Sequence, residues 1–210
     1  MVTDGLNPFT VLGFLGAVVG GGAIAAAYVA ARIAGRAPLA KLALIVGGVG
    51  AGAYVLLFAI ASFTSRDRVL APGEEKHICE IDCHLAYSVA GVKTEPGPNG
   101  ATRYTVTVKV RFDEETISSR RPRDMALSPN SRYVALVDAA GDTYPGSTEG
   151  LQRRLIPGES YTTDIGFDVP AGATGARLVL RNNDFETHFL IGHENSLGHG
   201  MTTFALARNP

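Results

Sequence analysis

Two cysteines and a scatter of histidines are the residues of this chain whose types could do chemistry. Cys79 and Cys83 form a C-x-x-x-C pair flanked by His77 and His84, so two thiols and two imidazoles lie within eight residues. Three chemistries fit this set. In an oxidising compartment the cysteines close a local disulfide. As thiolates they could hold copper or zinc together with His77 and His84, since sulfur and imidazole nitrogen are good ligands for both metals. With His84 directly after Cys83 they also fit a lengthened haem-attachment motif, although a β-rich setting offers no evident second axial ligand.

His188, His193 and His199 crowd a second short segment. They can join the metal set, as His193 and His199 with the cysteines, only where the fold brings the two segments together. The alternative is a polar loop in which the imidazoles, Glu194 and Asn195 bond backbone groups ahead of a last strand. The cysteine spacing resembles the paired-cysteine loop of binuclear copper domains, but Tyr87 stands where that pattern wants a histidine and no methionine follows nearby. That departure argues against electron transfer. Ser160 and Ser196 lack a G-x-S-x-G elbow, so no catalytic residue is expected and the chain does not read as an enzyme. Arg120, Arg121 and Arg123 form the one dense basic cluster, either a solvated loop or a docking loop for an acidic partner face or lipid headgroups.

The elements that must position these residues are of two kinds. From Pro8 to Ala31, and again from Leu42 to Phe63, no residue is charged, and each run exceeds the roughly 20 residues a helix needs to cross a hydrocarbon core. Two transmembrane helices are expected, near 8–31 and 42–63, within a membrane anchor at residues 1–66. The first run lacks the basic flank of a signal peptide and carries Asp4 there instead, so a retained helix is the expectation. Neither span contains an ionisable residue, which disfavours a transport or proton-relay path. Small residues are dense in both. Gly13, Gly16 and Gly20 on the first helix and Gly47, Gly48 and Gly52 on the second are the positions where another helix can approach closely. One such contact closes the two helices into an antiparallel hairpin. The first helix carries small residues over more of its circumference than one neighbour can cover, which leaves room for a contact with another membrane protein.

Of 19 Lys and Arg and 20 Asp and Glu, only Arg32, Arg36, Lys41 and Asp4 precede Thr64, leaving 16 basic and 19 acidic residues beyond. A mildly acidic domain is a poor match for a phosphate backbone, so nucleic acid is not an expected partner. The connector with its three positive charges reads as cytoplasmic by the positive-inside rule, opposed in part by Arg66 and Arg68 after the second helix. The expected location is a bacterial cytoplasmic membrane, crossed twice, with residues 67–210 in the periplasm or outside.

Past Arg68 the pattern changes to alternating β-branched and polar residues broken by Pro and Gly. Tyr104 to Phe112 alternates without interruption, as a strand with one buried face does. Further strands are expected at 75–79, 85–92, 133–138, 161–169, 176–181 and 202–207, separated by turns such as Pro157-Gly158-Glu159. About seven short strands predict an all-β, immunoglobulin-like antiparallel sandwich. The run Leu155-Ile156-Pro157-Gly158-Glu159, then Ile165-Gly166-Phe167-Asp168-Val169-Pro170, then Arg177-Leu178-Val179-Leu180 is similar to the second half of telokin-like, immunoglobulin-like domains of bacterial exported and membrane-anchored proteins. The resemblance spans residues 70 to 207. It implies a binding or structural module and transfers no catalytic residue. Together these readings lead to a non-enzymatic accessory subunit without a cofactor, packed through its helices against the subunits of a respiratory, photosynthetic or envelope complex in the lipid bilayer. The alternative is an external copper- or other metal-binding domain.

Overall fold

The computed structural model describes residues 2–5, 8–79, 83–118 and 120–206. These fall into two compact units that interleave along the chain. One comprises the described parts of 1–4, 67–184 and 201–210, the other those of 5–66 and 185–200. Both units are discontinuous in sequence. The units further place residues 2–4 with the strands and 185–200 with the helices.

In the helical unit, α1 runs Pro8–Ile33 and α2 Ala37–Thr64. Both outrun the charge-free stretches, because Arg32 and Lys41 continue the helices at the ends where a long side chain can reach water. Pro38 lies in the first turn of α2, where its missing N–H costs nothing. Gly35, at φ +69°, supplies the left-handed residue between the helices, and the Arg36 N–H donates back to Ala31 O at 2.8 Å. Both helices are long and apolar enough to cross a membrane, and their large side chains, Leu12, Val19, Leu44 and Val49 among them, are exposed. The segment from Phe185 to Gly200 completes this unit with a short 3-10 turn at Phe185–Phe189 and a series of tight turns.

The strands of the other unit form two five-stranded sheets. The first is ordered β1 (Val2–Thr3), β3 (Lys76–His77), β4 (Leu85–Pro96), β5 (Thr102–Phe112), β8 (Ser160–Val169). The second is ordered β2 (Arg68–Leu70), β10 (Thr202–Ala205), β9 (Arg177–Arg181), β6 (Tyr133–Val137), β7 (Thr143–Pro145). The immunoglobulin-like sandwich is thus present, with a difference at two edges: β1 joins β3 and β2 joins β10 in parallel. The alternation of β5 is realised in full, with Val106, Val108, Val110 and Phe112 buried against Ile165, Phe167, Leu136, Leu178, Leu180 and Phe204. β4 extends beyond the expected strand and shifts register between Val89 and Gly91. Ala207, the expected end of the last strand, lies outside the described residues.

Two buried polar side chains tie this core together. Tyr87 Oη donates to Asn130 Oδ1 (2.8 Å) and accepts from the Asn130 N–H (2.9 Å), pinning the long 113–132 connection to β4. Lys76 is wholly buried, and its ammonium donates to Leu180 O (2.7 Å) and Thr202 O (3.4 Å), reaching from the first sheet to strands of the second. A buried ammonium requires such acceptors.

Candidate functional site

Cys79 and Cys83 are joined by a disulfide, with their Cα atoms 4.3 Å apart. The bond removes both thiolates from the donor set on which copper, zinc or haem attachment depended. The flanking imidazoles are engaged locally. His77 is buried; its Nδ1–H donates to Cys83 O at 2.8 Å, while Nε2 lies 3.8 Å from the Asp113 carboxylate. His84 Nδ1–H donates to Thr116 Oγ1 at 2.6 Å, and its ring stacks on Phe112 at 5.6 Å between centres. Asp4 is drawn in as well, its carboxylate accepting from the Cys79 N–H at 2.9 Å.

The other histidines belong to the helical unit. His193 is buried with Nδ1 accepting from the Asn195 N–H at 3.0 Å, and His199 Nδ1–H donates to Gly200 O at 2.7 Å. These are the local backbone bonds of the polar-loop reading. Among the described residues no group of three or more His, Cys, Asp or Glu side chains is placed to hold a metal ion. Of the expected metal set, His77, Cys79, Cys83 and His84 lie in the sandwich unit and His193 and His199 in the helical unit.

Beside the disulfide lies a charge cluster with no sequence motif to announce it. Arg111 donates through Nε and Nη2 to both oxygens of Glu75 (2.9 and 2.7 Å), and its Nη1 lies 3.2 Å from Asp113. The Arg111 hydrogen bond holds the Glu75 carboxyl below its usual range. For Asp113, burial pushes upward, but the bonds from Arg111 and the Glu115 N–H prevail and the carboxyl is also lowered. The basic loop is partly folded back: the Arg121 guanidinium sits 5.7 Å over the Phe112 ring and Arg123 lies 3.6 Å from Glu114, while Arg120 is exposed.

On the helices, the contact between α1 and α2 uses fewer glycines than expected. A Cβ added at Gly47 would lie 3.2 Å from Ile24 Cγ2, so Gly47 is where the hairpin exploits a missing side chain. At Gly13, Gly16, Gly20, Gly48 and Gly52 an added Cβ would meet nothing within 4 Å. The expectation that all six line helix contacts is thus met within the hairpin at Gly47 alone. The physical reason is one of helix phase. The half-buried or buried positions are Thr10, Val11, Phe14, Gly20, Ile24, Tyr28 and Ala31 on α1 and Ala40, Ala43, Gly47, Tyr54, Phe58, Ala59, Ala61 and Ser62 on α2, a set that leaves out Gly13, Gly16, Gly48 and Gly52. An apolar groove of about 810 Å³ is lined by Gly13, Gly16, Gly20, Gly47 and Tyr54 together with Phe189.

No family model matches the chain, and no curated protein does. Among solved structures, the chain is similar to MPT63, a secreted protein from Mycobacterium tuberculosis, at 14% identity and a TM-score of 0.44, over 68% of this chain and 99% of that one.

Proposed function

We propose that the protein is a non-enzymatic, membrane-anchored accessory subunit whose helix hairpin receives a transmembrane helix of a larger membrane complex, with the sandwich as an external brace. The observation that carries this reading is the open glycine face: Gly13, Gly16 and Gly20 line an apolar groove that their own hairpin does not fill. Between helices in lipid, association depends on close van der Waals packing at small residues, and a glycine surface facing lipid forfeits that packing. A partner helix laid in the groove would recover it. The disulfide supports an oxidising location for the sandwich.

The test is a Gly16→Leu, Gly20→Leu double variant of the full chain, extracted in mild detergent at native abundance. Leucine raises hydrophobicity, so insertion persists, and a Cβ at either position meets nothing within 4 Å. Co-purifying membrane proteins should be lost while the folded protein remains at the normal level. Full retention of the partners would refute the groove as the recognition surface.

A further inference from the structure

The segment Phe185 to Gly200 is turned inside out relative to a loop that lives in water. Five of its polar side chains face inward, Thr187, His193, Glu194, Asn195 and Ser196 being buried, while Glu186 and His188 are exposed. Three of its large apolar side chains face outward, with Phe185 71% exposed, Leu197 81% and Phe189 45%, while Leu190 is buried. Outside α1 and α2, no large hydrophobic side chain among the described residues is more exposed than Phe185 and Leu197. Phe185 and Phe189 pack edge to face at 5.1 Å, so they form one apolar knob.

Several of the buried polar groups bond within the segment. Ser196 Oγ donates to Leu190 O, Asn195 Nδ2 to Thr187 Oγ1 (2.8 Å), and the N–H groups of His193, Ser196 and His199 close successive turns on Leu190, His193 and Ser196. Irregular backbone is tolerated next to hydrocarbon only when its polar groups are satisfied from within, and these bonds go far toward that. The segment is fastened to the helices at three points. Tyr54 Oη donates to Phe189 O at 2.6 Å, Ser65 Oγ accepts from the Gly200 N–H at 2.6 Å, and Gly198 lies so close to the Phe63 ring that a Cβ there would be 2.8 Å from it.

Depth follows from length. The 28 residues of α2 span about 42 Å, against about 30 Å of hydrocarbon. With one boundary between Arg36 and Lys41, the opposite boundary falls about 20 residues along α2, between Leu56 and Ala61 and within two turns of Tyr54. Tyrosine is enriched at that level. Phe189, held by Tyr54, therefore sits where acyl chains meet headgroups. Glu186 and His188, exposed beside the knob, suit the headgroup side of that boundary.

We propose that Phe185–Gly200 is a membrane-interfacial element, with Phe185 and Leu197 inserted among the lipid chains around the outer end of the hairpin. The inference rests on the spanning hairpin of the previous section and on no partner protein. Its test places an environment-sensitive NBD label on single cysteines introduced into the full chain, the native pair remaining oxidised. The protein is reconstituted in phosphatidylglycerol and phosphatidylethanolamine vesicles containing phosphatidylcholine with a doxyl quencher near the headgroup end of one acyl chain. Labels at Phe185→Cys and Leu197→Cys should lose emission to the doxyl lipid and resist aqueous iodide. Lys93→Cys, on the sandwich, should do the reverse, and Val49→Cys, within α2, reports whether the hairpin spans. Iodide access at 185 and 197 with Val49→Cys still in lipid overturns the interfacial element alone. Protection of 185 and 197 from both quenchers overturns it in favour of a protein cover. A water-exposed Val49→Cys removes the spanning hairpin and this proposal with it.

Discussion

At the scale of single residues, the sandwich depends on polar side chains that are buried and satisfied. Glu75 and Asp113 both have carboxyls lowered in the folded protein by Arg111, so the folded state binds fewer protons than the unfolded chain in the acid range. Their contribution is present in full above the ordinary carboxyl values of 4.5 and 3.8 and is lost as pH falls through the lower folded values. The urea midpoint of the sandwich should therefore drop below about pH 4.5 in part through this cluster. Arg111→Met should lower the neutral-pH midpoint and flatten the acid limb; an unchanged acid limb would show that the cluster is not its source. Tyr87→Phe offers a second residue-scale test. It removes one hydroxyl but strands the Asn130 N–H and side-chain oxygen in the core, so denaturation at neutral pH should reveal a loss of about 1–3 kcal/mol.

At the scale of elements, the hairpin has a working seam and an open face, and glycine substitutions separate them. Gly47→Leu drives a side chain into Ile24, so it should push α1 and α2 apart and make the anchor sensitive to protease in detergent. At Gly16 and Gly20 an added Cβ meets nothing within 4 Å, so with Gly16→Leu and Gly20→Leu the anchor should stay as resistant as the parent while partners are lost. Equal protease sensitivity in both variants would mean that the two faces are not distinct. How far such elements are legible in sequence follows from their length. Two charge-free runs longer than a bilayer crossing leave no alternative to helices, and the nine-residue alternation from Tyr104 to Phe112 specifies both strand and buried face. β1, β2 and β7 have two or three residues each, too few to display a period, and each is defined by the strand it pairs with. The glycines announce close approach but not direction, because direction is set by a helix phase that depends on the neighbour. The segment 185–200 misleads for a related reason: composition reads as polar, whereas only the fold reveals that Thr187, Glu194 and Asn195 turn inward and Phe185 and Leu197 outward.

At the scale of the whole molecule, the connectivity constrains how the chain can meet a membrane. β1 precedes α1 and is hydrogen-bonded to β3; β2 follows α2 and is hydrogen-bonded to β10. The residues on both flanks of the hairpin thus belong to one folded unit, and a single folded unit occupies one side of a bilayer. A single crossing is incompatible with that arrangement, because it would leave β1 and β2 on opposite sides. Two crossings would satisfy it, and we propose that the Arg32, Arg36 and Lys41 connector then lies on the far side, the cytoplasmic one by the positive-inside rule. Cysteines introduced singly in the full chain test this in intact cells with a membrane-impermeant maleimide. Asp142→Cys, in an exposed turn of the sandwich, should label from outside. Ala34→Cys, in the connector, should label only after lysis. The opposite pattern would reverse the orientation and leave the hairpin standing, whereas labelling of both from outside would mean that α1 and α2 do not cross, however long and apolar they are.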